Sequence, residues 1–265
     1  MTMDNLKLKW YGTATILLEQ NRTNLLFDPF LPLSSKAYQP PMDEFIAADG
    51  IFVTHDHFDH ISAIPEIVKR SAIPSNIYCI KRAQDILISK GIDSSRIACI
   101  TPGDTVNLGP FEVRVLKSEH IVFNTGLILK TLINPRILFY WKNLRQMMRS
   151  GDKSDVEMET VAYDINVLNK RILLMGSLNL DAETEYKPGA DLLILPFQGR
   201  SDISSYAIPI VKRLQPKKIL LDHFDDTFPP ITSSVDTNRF ITLMHKECPD
   251  IPIICPCASA DWIDW

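Results

Sequence analysis

The sequence predicts an α/β fold in which two β-sheets pack face to face with helices outside, and three observations lead there. Short apolar strands alternate with stretches of helical periodicity along the chain. One order of elements, strands first and strand-helix units after, occurs twice, over residues roughly 1–120 and 158–265. Histidines repeatedly terminate apolar strands. No low-complexity tract or separating linker interrupts the 265 residues, so one domain spanning 1–265 is expected.

Each element follows from a local pattern. LKLKWYG, TATILLEQ and TNLLFDPF read as three adjacent antiparallel strands, with Gln20-Asn21-Arg22 as the hairpin turn between the last two. GIFVTH is a short apolar strand that runs into THDHFDH, and HISAIPEIVKRS beyond it has helical spacing. NIYCI with RAQDILISKG forms a strand-helix unit, and RIACI is a strand closed by the turn Pro102-Gly103-Asp104. TVNLG and FEVRVLKSEH make a hairpin through Gly109-Pro110 that ends at His120. METVAYDINVLNKRILLMGS is another hairpin, ADLLILPF a buried strand, ISSYAIPIVKRLQ a helix, and KKILLDHF a strand ending at His223. Residues 121–157 differ. PRILFYWKNLRQMMRSG is a proline-started helical pattern, apolar with basic flanks, inserted in an otherwise acidic chain.

Composition narrows the function classes. A formal charge of −4 and a pI near 5.9 disfavour a protein that meets nucleic acid over its surface. MTMDNLKLKWYG has no apolar run after its charges, so no signal peptide is expected, and no stretch approaches the roughly 18–20 apolar residues that span a bilayer. Five cysteines at irregular spacing fit a reducing compartment, and the expected address is the cytoplasm. Cys255-Pro256-Cys257 follows the closing strand IPIIC, which predicts burial rather than redox or metal chemistry.

The chemistry concentrates in THDHFDH, which holds three of the six histidines and two aspartates within seven residues. Burying such groups without partners costs several kcal/mol, and a metal removes that cost. In an extended turn His55 and His57 point to one side and reach one ion, while Asp59 and His60, farther round, face a second. His120 and His223 supply remote ligands from other strand ends. His245, inside the helical pattern RFITLMHKE, stays outside the chemistry. Imidazole and carboxylate donors suit Zn2+ best, with Mn2+ or Fe as alternatives.

THDHFDH resembles the signature of the metallo-β-lactamase superfamily, and WYGTATILLE, NLLFDPF, ILLMGS, LLILPFQG and HFDDTFPPI agree with it. The combination is similar to the branch that contains ascorbate-6-phosphate lactonase and related metal-dependent hydrolases, over most of the chain apart from 121–157. The resemblance implies an αββα sandwich with the metals at one edge of the sheets. It implies that His55, His57 and His120 hold a first metal, that Asp59, His60 and His223 hold a second, and that Thr54 and Asp56 shape the turn. Two positions depart from the pattern. Gly176-Ser177 stands where many relatives have glycine and a metal-bridging aspartate, which leaves one or two ions open, with Asp181 of the same loop as a substitute anion. Thr13 stands where relatives often carry histidine.

Such a site activates water near neutral pH and polarises a carbonyl or phosphoryl oxygen, with Asp59 as the catalytic carboxylate that orients the metal-bound hydroxide. The expected reaction is hydrolysis of an ester, lactone, amide or phosphodiester bond in a small, anionic metabolite. The 121–157 insertion is expected to form a lid, with Arg136, Lys142 or Arg145 meeting the anionic group, or else a packed helix pair or homo-oligomer contact. The alternatives are an iron-dependent oxidoreductase on the same fold and a membrane-surface binding protein in which the insertion lies on lipid and the metals are structural.

Overall fold

The computed structural model describes residues 6–71, 76–122, 124, 136–143, 145 and 159–265. Strands β1 (Lys7–Trp10), β2 (Ile16–Gln20), β3 (Thr23–Phe27), β4 (Gly50–Phe52), β5 (Asn76–Cys79) and β6 (Ile97–Cys99) form one sheet in that order. Strands β7 (Thr105–Leu108), β8 (Phe111–Glu119), β9 (Glu159–Val167), β10 (Lys170–Met175), β11 (Leu192–Pro196), β12 (Ile219–Asp222) and β13 (Ile253–Ile254) form the other. Both sheets are mixed. Antiparallel β1–β2–β3 continues into parallel β3–β6, and antiparallel β7–β10 continues into parallel β10–β13.

The doubled order expected from the sequence is therefore present, but the division lies between Cys99 and Thr105 rather than near residue 120. β8 pairs with β9 from Phe111↔Val167 to Glu119↔Glu159, and this long antiparallel ladder carries the β7–β8 hairpin into the second sheet. Asn21 (φ 50°) and Arg22 (φ 63°) make the expected β2–β3 turn with two consecutive left-handed residues, as a tight two-residue hairpin requires.

Helices α1 (Met42–Ile46), α2 (Phe58–Ile61), α3 (Ile64–Arg70) and α4 (Lys81–Ser89) accompany the first sheet. α5 (Arg136–Phe139) lies in the inserted segment, and α6 (Ile203–Leu214) and α7 (Asn238–Glu247) accompany the second sheet. The helix expected over HISAIPEIVKRS is split into α2 and α3. Pro65 has no N–H to donate, so it occupies the first turn of a new helix instead of the middle of a continuous one. None of the described helices is long and apolar enough to cross a membrane.

The core lies between the sheets. Leu8, Phe27, Phe52 and Ile77 of the first face Val113, Val115, Tyr163, Ile165 and Leu174 of the second, all buried. The Tyr163 ring stands 5.6 Å from Phe27 and 5.5 Å from Phe52, bridging the two layers. Strand alternation sends Leu173, Leu193, Leu195 and Leu221 to the opposite face, where Ala207 and Val211 of α6 and Phe240 and Met244 of α7 cover them. The closing strand exists as β13, but Cys255 and Cys257 are exposed, contrary to the burial expected of them. β13 is a two-residue edge strand, and the chain leaves the sheet before reaching the cysteines.

Two bonds tie the chain leaving β4 to the second sheet. The Tyr163 hydroxyl donates to the Val53 carbonyl at 2.6 Å, and the Val161 amide donates to the Thr54 carbonyl at 3.0 Å. Gly176, just past β10, lets the sheets approach there, since a Cβ at this position would stand 2.3 Å from the Thr54 Cβ. Gly176→Ala is therefore expected to lower the unfolding free energy by about 1–3 kcal/mol, the range for overpacking a tight contact. Urea denaturation of metal-free protein measures this, and an unchanged midpoint would mean that Thr54 moves aside without strain.

Candidate metal centre

Every candidate ligand follows the C-terminal end of a strand at one edge of the sandwich. The chain leaving β4 passes through Thr54 and His55, caps α2 with His57, and places Asp59 and His60 in the first turn of that helix. β8 delivers His120 and β12 delivers His223, the latter held at φ 56°. Two groups result, His55 with His57 and His120, and Asp59 with His60 and His223. Within each, one donor atom per residue lies within 4.8 Å of the others. The His55 and His60 rings, one from each group, are 3.9 Å apart, so the groups adjoin.

Hydrogen bonds set the direction of the imidazoles. His55 Nδ1 is 2.9 Å from the Thr54 hydroxyl, His60 Nδ1 is 2.9 Å from Asp28 Oδ2, His120 Nδ1 donates to the Ile121 carbonyl at 2.9 Å, and His223 Nδ1 donates to Gln198 Oε1 at 2.8 Å. Each contact engages Nδ1 and leaves Nε2 as the donor atom for a cation, the arrangement that fixes tautomer and ring plane in metal-binding histidines. His57 differs, turning Nδ1 toward His55 Nε2 at 3.1 Å. The donor set and its supporting bonds fit a transition metal.

Asp28 anchors this arrangement. Fully buried just past β3 and held at φ 45°, it accepts from the Thr54 amide at 2.8 Å and the Thr54 hydroxyl at 2.7 Å, as well as facing His60. Thr54 thus shapes the turn as expected. Asp56 turns away to Arg82, whose Nε is 2.6 Å from its carboxylate. Thr13, the second departure from the family pattern, carries the carbonyl that accepts the His223 amide at 2.8 Å, and its hydroxyl lies 2.7 Å from that of Thr227.

The two groups differ electrostatically. Burial, followed by the neighbouring imidazoles, holds His55 well below its ordinary pKa, and burial with His57 brings His120 down to about 4. Both are neutral at pH 7, the form that binds a cation. In the second group burial opposes protonation but the carboxylates outweigh it. Asp28 and Asp59 raise His60, and the hydrogen bond that His223 donates to Asp59 helps bring its own pKa up to about 9. Burial would raise Asp59, yet His60 and His223 hold it below the usual carboxylate range. His223 Nε2 and Asp59 Oδ2 are 2.9 Å apart.

The remaining candidates fall in several places. Ser177 Oγ accepts the Ile121 amide at 2.9 Å, so it braces the chain beside His120. Asp181 is not brought to the centre as a substitute anion. Its carboxylate is 2.8 Å from Lys117 Nζ and accepts the Thr184 hydroxyl at 2.7 Å. Arg136 pairs with Asp226 at 2.6 Å and lines a cavity of about 570 Å3 with Lys36, Tyr38, Tyr140 and Asp225, the last two residues beyond His223. Lys142 and Arg145 are exposed. The rest of the lid expected over 121–157 lies largely outside the described residues. Sequence reasoning gave no role to Asp28, Gln198 or Arg82. For the first two the available signal was position, since each follows an apolar strand at the edge that carries the ligands.

Comparison with known proteins agrees with this geometry. A relative in Pyrobaculum islandicum, called a UPF0173 metal-dependent hydrolase, is 26% identical over 235 residues, covering 85% of this chain and 87% of its own. Among solved structures, Igni18, a metallo hydrolase from Ignicoccus hospitalis, superposes with a TM-score of 0.64 at 17% identity, covering 98% of this chain and 99% of its own. The metallo-beta-lactamase fold protein YhfI from Bacillus subtilis gives 0.62 at 15% identity, covering 96% and 97%. The beta-lactamase superfamily domain model matches residues 7–221, and the chain belongs to that family.

Proposed function

We propose that this chain is a metal-dependent hydrolase that holds one or two zinc ions in the two ligand groups and cleaves an ester, lactone, amide or phosphodiester bond in a small anionic metabolite. The observation that carries this reading is the convergence of six donor side chains, from three separate strand ends, into two adjoining groups with their supporting hydrogen bonds already made. The hydrolase names of the relatives support the reaction class. A zinc ion bound there lowers the pKa of water and polarises the oxygen of the scissile group.

The residues divide the work. His55, His57 and His120 would hold the first ion, and neutral His55 and His120 would do so without shedding a proton at pH 7. Asp59, kept ionised beside His60 and His223, orients the attacking water and takes its proton. Tyr38, Tyr140, Lys36 and Arg136 border the cavity that Asp225, two residues beyond His223, also lines, and bind the part of the substrate remote from the scissile bond.

The decisive experiment combines elemental analysis of protein made with ordinary metal supply and a hydrolysis panel of lactones, carboxylic esters, amides and phosphodiesters. Stoichiometric zinc, loss of turnover on chelation and its return on adding zinc are expected. Iron with redox-active absorption, or a reconstituted protein that cleaves nothing, would overturn the reading. His120→Ala is expected to remove the first ion.

Two further outcomes separate the residues behind the ligands. Asp28→Asn keeps the size of the side chain but weakens its hold on Thr54 and His60, so zinc affinity is expected to fall about 10–100-fold. Competition with a chromogenic chelator measures it. Ser177→Asp places an anion beside His120, and the same titration should then show tighter uptake of a second ion. Equal affinity in wild type and variant would show that residue 177 does not reach the metals.

A further inference from the structure

We propose that the face built around α5 docks on an anionic lipid surface. Phe139 is 82% exposed, Trp141 51% and Ile231 38%. These side chains are held there by specific bonds. Arg136 Nη2 meets Asp226 Oδ2 at 2.6 Å, Arg136 Nη1 donates to the Thr232 carbonyl at 3.4 Å, and Asn143 Nδ2 donates to the Pro229 carbonyl at 2.9 Å. The segment is thereby fastened to the stretch after β12 that carries Ile231. Arg136 and Tyr140 turn to the cavity, and Phe139 and Trp141 face outward.

Charge selects the occupant. Lys142 and Arg145 are exposed on the same segment, and neither is ion-paired with a described residue, whereas Asp226 is already neutralised by Arg136. Outward aromatic side chains beside exposed cations match the headgroup layer of a bilayer, where tryptophan settles and anionic lipids attract lysine and arginine. A two-fold contact with a second copy, centred on this face, would set Lys142 and Arg145 against their own counterparts. The net charge of −4 opposes adsorption through other faces, so attachment is confined to this one and is weakened by salt.

The test is sedimentation of the full chain with phosphatidylcholine vesicles, with and without phosphatidylglycerol. It compares wild type, a Phe139→Ala/Trp141→Ala variant and a Lys142→Glu/Arg145→Glu variant at low and high salt. Trp141 is also followed as the fluorescence difference between wild type and Trp141→Phe. Expected results are binding to the anionic vesicles alone, a blue shift of the Trp141 signal on binding, and at least tenfold weaker partitioning for each double variant. Both variants should keep the wild-type zinc content and unfolding midpoint. The proposal is overturned if anionic vesicles bind no protein, if the aromatic variant binds as well as wild type, or if sedimentation without lipid shows a dimer that either double variant dissolves. Zinc content and hydrolysis are read separately, so failure here leaves the hydrolase reading standing, and the reverse also holds.

Discussion

The buried carboxylate of Asp28 is the contact on which the centre depends. A carboxylate with no exposure to water is costly unless its lone pairs are taken, and here the Thr54 amide, the Thr54 hydroxyl and His60 Nδ1 take them. Parallel pairing of β3 with β4 makes this geometry available. Phe27 aligns with Phe52, so the residues just past each strand, Asp28 and Thr54, come together at the sheet edge. Thr54 passes the constraint on, because its hydroxyl also meets His55 Nδ1. One residue outside the ligand set thus orients one histidine of each group.

A sandwich is needed because neither sheet holds a full ligand set. The first sheet supplies His55, His57, Asp59 and His60, and the second supplies His120 and His223. The bonds from Tyr163 to Val53 and from Val161 to Thr54 hold the two contributions in register from inside. From the rim, the Ser177 hydroxyl fixes the chain after His120, and the Thr13 carbonyl fixes the His223 amide. A cation bound between the sheets therefore adds to the stability of their association, since its affinity for the folded chain is free energy that the unfolded chain lacks.

Much of this was legible in the sequence because ligands carry their own signature. Three histidines and two aspartates in one turn are recognisable without any partner, and His120 and His223 are recognisable because apolar strands end on them. The supporting residues lack such a mark. Asp28 and Gln198 are ordinary polar residues until the fold sets them beside His60 and His223. Asp181 looked available because a loop aspartate gives no hint of a lysine on another strand, and Lys117 occupies it. The division between the sheets was misplaced for a similar reason. Element order shows that a hairpin exists over 105–119 but not which strand it will join, and the long β8–β9 ladder decides that. Cys255 and Cys257 follow apolar residues, as buried cysteines often do, yet a two-residue edge strand ends too early to cover them.

The charge inventory of the centre bears on what it binds. Of the six proposed ligands five are imidazoles, and Asp59 alone carries formal charge once the metals have displaced protons from His60 and His223. Asp28 adds a second negative charge at one remove, through His60. Two divalent ions would bring four positive charges against these two, in a site whose burial strengthens every interaction between charges. The acid that bridges the ions in many relatives would have lowered the excess, but Ser177 is neutral and already braces Ile121. The imbalance has to be met from outside the ligand set. An anionic group on the substrate would meet it directly, and this is the physical reason that the proposed substrate class is negatively charged rather than neutral.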